Sequence, residues 1–166
     1  MAARPETDPK PQLLIGSSLY SVSNATFSND GHWLAYFSAE TGQQEVYVQP
    51  FPLTQAKYRI STGGGLDPVW SPDGKQLFYT KGPAIGPRQI FAVDIQTQPT
   101  FTVGKTTPLP IEGIISTGPR GYDITPDGKF IVMLPSAAAQ SGKASAQQFD
   151  VTLNWFEELK QRVPSK

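Results

Sequence analysis

Three times along the chain a short polar turn is followed by a run of apolar residues: 27–36 reads FSNDGHWLAY, 70–79 reads WSPDGKQLFY and 124–133 reads ITPDGKFIVM. Each copy opens on an aromatic or aliphatic residue followed by Ser or Thr. The run after the turn is rich in aromatic and β-branched residues, the composition of a buried strand. The pattern predicts one β-hairpin per copy. Pro72 and Pro126 preset φ for the first corner of the turn, with Asn29 in that place in the first copy. Asp30, Asp73 and Asp127 follow, and Gly31, Gly74 and Gly128 supply the left-handed residue that closes a short hairpin loop. Gly42, in a looser loop, is expected to be less demanding.

Alternating segments after the hairpins, 45–49 (EVYVQ), 89–93 (QIFAV) and 149–153 (FDVTL), read as third strands. Residues 57–61 (KYRIS) and 106–111 read as fourth strands. The three aspartates lie 43 and 54 residues apart. A period of roughly 40–50 residues with four strands per unit is that of β-propeller blades. The predicted architecture is therefore all-β: a partial β-propeller of about three four-stranded antiparallel blades, at 24–61, 67–111 and 119–153, with a short C-terminal helix. Residues 12–15 (QLLI) read as an orphan outer strand whose blade lies elsewhere, so the propeller segment covers 12–153. After Leu153 the period changes. Asn154 is a good N-cap, Glu157 stands three residues on, and Trp155, Phe156, Leu159 and Val163 share a face, predicting a helix over 154–163 within a terminal segment 154–166. Residues 1–11, with three prolines, and the small polar stretch 136–148 are read as mobile.

Composition narrows the function classes. The 166 residues are about one domain's length. Fourteen Lys plus Arg balance fourteen Asp plus Glu, so no net field draws the chain to nucleic acid or an anionic membrane. Without cysteine there is no disulfide framework, thiolate metal site or thiol nucleophile. The apolar runs are strand-length, which predicts no membrane insertion by this chain. The opening MAARPETDPKPQ has no apolar core after its first charges and does not read as a signal peptide.

The repeats resemble those of TolB-type propellers, in which a Ser-Pro-Asp-Gly turn precedes an apolar strand and a Gly-containing loop leads to an Ile/Val-Tyr-Val strand. The likeness covers roughly residues 12–155. Four segments in order, 46–52 (VYVQPFP), 60–65 (ISTGGG), 68–71 (PVWS) and 153–160 (LNWFEELK), are similar to the last three blades of the C-terminal propeller of bacterial receptor-like serine/threonine protein kinases. That resemblance implies a non-catalytic module, extracytoplasmic or periplasmic, that binds or senses a protein or small ligand and needs no cofactor. Because only three repeats are present, it also implies self-association to complete a six-bladed propeller. Two other propeller classes stay open: the gating propeller of prolyl-oligopeptidase-type peptidases, and an envelope scaffold like TolB itself.

Candidate chemistry is sparse. Asp30, Asp73 and Asp127 fall one per repeat, whereas a calcium loop concentrates its carboxylates within a dozen residues, so they read as structural turns. No Lys-Ser/Thr and no helix follow Gly63–Gly65, which excludes a phosphate cradle and leaves a close approach between blades. His32, the single histidine, stands where the other copies have Lys75 and Lys129, and no Gly-x-Ser-x-Gly elbow occurs. Trp33 and Trp70 read as blade core. Propeller geometry brings the loops 38–44, 61–67, 80–88, 110–120 and 136–148 together at one end of the central channel. Glu40, Asp67, Lys81, Arg88 and Arg120 are the candidates there for ionic contact with a ligand.

Overall fold

The structure, a computed structural model, describes residues 13–83, 85–115 and 120–135. Residues 1–12, the polar stretch 136–148, and the segments 149–153 and 154–163, expected as a strand and a helix, all lie outside the described residues. Strands β1 (Val22–Phe27), β2 (Trp33–Ser38), β3 (Glu45–Pro50) and β4 (Tyr58–Arg59) form one antiparallel sheet in that order. Strands β5 (Leu66–Trp70), β6 (Gln76–Lys81), β7 (Gln89–Gln96) and β8 (Thr102–Pro108) form a second with the same topology. These are two complete blades. Strands β9 (Tyr122–Ile124) and β10 (Phe130–Val132) pair as the opening hairpin of the third.

Each hairpin is closed by one side-chain lock. In the first blade the Ser28 backbone N–H donates to the Trp33 carbonyl at 2.8 Å, and the Trp33 N–H returns to Ser28 Oγ at 3.0 Å. The Ser28 hydroxyl donates to Asp30 Oδ1, which also accepts the His32 N–H at 3.0 Å. Ser71, Asp73, Lys75 and Gln76 repeat the arrangement, with Ser71 Oγ 2.6 Å from Asp73 Oδ1. Gly31, Gly74 and Gly128 take φ of 73°, 70° and 82°, the left-handed region where a Cβ is strained. Gly42 stands at φ 84°, so the looser loop is as demanding as the hairpin turns.

The third hairpin departs from the repeat. Thr125 locks onto Lys129 four residues on, where Ser28 and Ser71 reach five, and Ile124 therefore pairs with Phe130. Phe27 and Trp70 pair with Leu34 and Leu77, to which Ile131 corresponds in the third copy. A one-residue change of register exchanges the two faces of a strand. It turns Phe130 and Val132 into the core and leaves Ile131 exposed.

Alternation along the strands builds one apolar layer per blade interface. Ala35, Phe37, Val46 and Val48 of the first blade pack on Leu66, Trp70, Leu77, Tyr79 and Val93 of the second. Val69, Phe78, Ile90 and Ala92 pack in turn on Tyr122, Phe130 and Val132. Trp70 is buried in the first layer and Trp33 half-buried against it, its ring centroid 4.6 Å from that of Phe101.

Two elements differ from expectation. The fourth strand of the second blade runs over 102–108, not 106–111. Phe101 is buried just before it, while Leu109 and Ile111 leave the strand to bond to Ile90 and enter the layer facing the third blade. Pro108 and Pro110 remove the donors that a strand continuing to 111 needs. Leu13–Ile15 form no strand. Beside the edge strand β1, Ile15 instead packs its side chain on Leu34, Tyr36 and Tyr47.

Candidate binding face

At the end of the blades opposite the Ser-Pro-Asp-Gly turns, the innermost strands β1 and β5 each carry a bulge around a polar residue of positive φ: Asn24 at 53° and Asp67 at 54°. The two occupy the same place in their repeats, three residues before Phe27 and Trp70. Asn and Asp are the side chains that enter this region most readily after Gly. The corresponding residue of the third copy is Gly121, where a Cβ would overlap the Ile115 carbonyl oxygen.

Asp67 joins the three repeats. Its Oδ1 accepts from Asn24 Nδ2 at 2.6 Å. Its Oδ2 accepts from Arg88 Nη1 at 2.7 Å and Thr80 Oγ1 at 3.2 Å. Its backbone carbonyl accepts the Tyr122 hydroxyl at 2.7 Å. Burial pushes the Tyr122 phenol well above its ordinary pKa and keeps it a donor. Arg88 is held further by a bond from Nε to the Pro83 carbonyl at 3.1 Å and by a backbone bridge to Ile114.

This corrects the expectation for two candidates. Asp67 and Arg88 are 2% and 8% exposed and face each other, so they do not offer free charges to a ligand. A carboxylate and a guanidinium that leave water together need a mutual bond and further partners, and the bulge at Asp67 aims its carboxylate at both. Glu40 is half-buried and ion-paired with Lys57, whose Nζ also lies 4.4 Å from the Tyr47 ring centroid. Lys81 donates to the Thr62 carbonyl at 3.1 Å, pinning the glycine-rich connection between the first two blades. Arg120 lies 3.9 Å from the exposed Asp123. Glu40, Lys81 and Arg120 thus lie at the loop end and keep part of their side chains exposed.

A further buried carboxylate escaped the sequence reading. Glu45, at the start of β3, is buried and accepts from the Ser61 hydroxyl and from the Gly64 N–H at 3.1 Å. Ser61 Oγ in turn accepts the Val46 N–H at 2.8 Å. The glycine run accommodates this: Gly63 and Gly64 take φ of 72° and 105°, and a Cβ on Gly65 would overlap Ser61 Oγ. Alternation alone places Glu45 in a strand without telling which face it takes; the signal was the run Ser-Thr-Gly-Gly-Gly opposite it.

At the turn end, Asp30, Asp73 and Asp127 are separate, one in each lock. Hydrogen bonds hold all three below the usual carboxylate range: from the Ser28 hydroxyl to Asp30, from the Ser71 hydroxyl to Asp73, and from Lys129 to Asp127. Asn29 reaches across the first blade gap to the carbonyls of Ser71 and Pro72. Pro72, its counterpart, has no donor for the next gap, and a cleft of about 290 Å³ opens there over Phe78 and Ile124. Among the described residues no three His, Cys, Asp or Glu gather as a metal site.

No protein-family model matches the chain. Over 63 residues, 36% of its length, it is 38% identical to the Tol-Pal system protein TolB of Desulfotalea psychrophila, of which it covers 14%. It superposes on the crystal structure of TolB from Acinetobacter baumannii with a TM-score of 0.52 at 22% identity, over 69% of this chain and 27% of that one. The architecture is that of a partial β-propeller, and the fold is the TolB propeller fold. The chain spans about a seventh of the curated relative and about a quarter of the solved structure.

Proposed function

We propose that the chain is a non-catalytic binding or sensing module, part of a TolB-like propeller, that meets a protein or small ligand through its loop end. The observation that carries this is the use made of its polar residues. Asn24 and Tyr122 bond to Asp67 between blades, Thr80 and Arg88 bond to it within the second blade, and Glu45 bonds to Ser61 within the first. What the loop end displays is a rigid scaffold bearing Glu40, Lys81 and Arg120, suited to recognition more than to bond-making. The finer reading is the C-terminal part of a propeller associated with a bacterial serine/threonine kinase, outside the cytoplasm. Its support is the ordered likeness of 46–52, 60–65 and 68–71, which fall on β3, on the inter-blade connection and on β5. A second reading, a TolB-like envelope scaffold, is favoured by the curated relative.

Site-specific photocrosslinking tests the proposal. A crosslinker in place of Lys81 is expected to capture a partner that one in place of Lys75, at the turn end, does not. Capture of a kinase polypeptide supports the finer reading, and capture of a Tol-Pal component the second. Saturable turnover of a peptide or glycoside, abolished by one point substitution in the chain, overturns the non-catalytic assignment.

A further inference from the structure

The two gaps between the repeats are built differently at the turn end. In the first, the Asn29 carboxamide reaches over from the first blade, its Nδ2 donating to the Pro72 carbonyl and, at 3.4 Å, to that of Ser71. What that gap takes is a planar donor against two carbonyl oxygens. In the second gap the repeat puts Pro72 where Asn29 stands, and Thr125 and Pro126 where Ser71 and Pro72 stand. A proline side chain has no donor, so the acceptor turn recurs without the residue that bridges to it. The cleft of about 290 Å³ lies there, with Pro72 and Asp73 on one wall, Pro126, Asp127 and Gly128 on the other, and Phe78 and Ile124 beneath.

The two walls differ in charge. Lys129 already answers Asp127, its Nζ 2.6 Å from Oδ2. Asp73 gives Oδ1 to the Ser71 hydroxyl and the Lys75 N–H, and among the described residues no cation forms an ion pair with it. The Gln76 amide, also in the lining, donates to Asp94 at 2.9 Å. We propose that this cleft binds a small molecule that joins an amidinium or guanidinium group to an apolar body. The planar cation supplies the N–H donors that Asn29 supplies in the first gap, directed at the Pro126 carbonyl and the Asp73 carboxylate. A fork of parallel donors suits a carboxylate. The apolar body lies on Phe78 and Ile124. The volume, close to the lower limit of about 300 Å³ for small-molecule sites, favours a compact ligand over a peptide. This site lies at the end opposite Glu40, Lys81 and Arg120 and is independent of the function proposed for the loop end.

Isothermal titration calorimetry of the full chain with benzamidine tests this. The expected dissociation constant is millimolar or lower, and benzamide, of the same shape without the charge, should bind roughly tenfold more weakly. Pro72→Asn gives the second gap the residue that closes the first and should weaken benzamidine binding roughly tenfold or more. Asp73→Asn, which keeps an acceptor for the Ser71 hydroxyl, should do the same. Asp30→Asn, the corresponding change in the turn of the first blade, should leave binding unchanged. Far-UV circular dichroism on each variant shows that the sheets persist. No binding of benzamidine up to about 10 mM overturns the proposal, and so does equal binding of benzamide. Binding insensitive to Pro72→Asn overturns the placement in this cleft. Tighter binding of a capped glycyl-arginyl-glycine peptide than of benzamidine overturns the choice of a small molecule over a protein side chain.

Discussion

Arg88→Met removes the charge that Asp67 faces while keeping most of the buried aliphatic stem. The Asp67 carboxylate is then left 2% exposed with the donors Asn24 and Thr80 but no cation. Removing one partner of a buried ion pair costs about 3–5 kcal/mol, because an uncompensated charge stays behind. The two remaining donors place this site near the lower figure. With a urea slope of about 2 kcal/mol/M, a loss of about 3 kcal/mol lowers the midpoint by about 1.5 M. Trp33 and Trp70 both touch the layer between the first two blades, so tryptophan fluorescence follows the event where it occurs. Protein concentration must be held fixed, since self-association shifts apparent stability by mass action. The double variant Asp67→Asn, Arg88→Met buries no charge, and Asn tolerates the φ of 54° at this bulge. It should therefore be more stable than Arg88→Met alone. A midpoint shift below about 0.5 M, or a double variant less stable than the single, refutes the view that the pair stabilises the second blade through its charges.

Gly121→Ala should lower the melting temperature more than Gly74→Ala. The first forces a Cβ onto the Ile115 carbonyl, while the second, in open space at φ 70°, meets only the left-handed penalty of about 1 kcal/mol. Differential scanning calorimetry ranks the two, and equal shifts would contradict the packing at Gly121. Stability should fall in acid because the pKa values of Asp30, Asp73 and Asp127 are depressed on folding. Each carboxylate's contribution is full above its unfolded value of about 3.8 and is lost as pH drops through the lower folded value. Urea midpoints measured across this range should show a shallower acid slope for Asp73→Asn than for the parent. Tyr47→Phe should be neutral or stabilising by up to about 1 kcal/mol, since the buried Tyr47 hydroxyl has no hydrogen-bond partner among the described residues and the second blade has Phe91 in that place. A loss above about 1 kcal/mol in a urea melt would show that the hydroxyl is satisfied.

The hairpins, their turns and the two-faced strands were legible in the amino-acid sequence because each depends on residues a few positions apart. A Ser or Thr, an Asp and a Gly at fixed offsets close a turn by local hydrogen bonds, and alternation states which side chains share a face. The repeat then named the blade, and Trp70 fell in the core as its position in the repeat demanded. Asp67 and Arg88 were not legible as a pair. They stand 21 residues apart, and a charged residue near a loop reads as exposed until a fold brings its opposite beside it. The bulge that aims Asp67 inward, the burial of Glu45 under the glycine run and the one-residue change of register at Thr125 are likewise decided by packing between blades. So is the end of the fourth strand, drawn back to Pro108 because Leu109 and Ile111 bury against the third repeat. Local chemistry determines which segments become strands; the choice of buried partner for each polar side chain belongs to the tertiary structure, because desolvation is settled only by what packs on top.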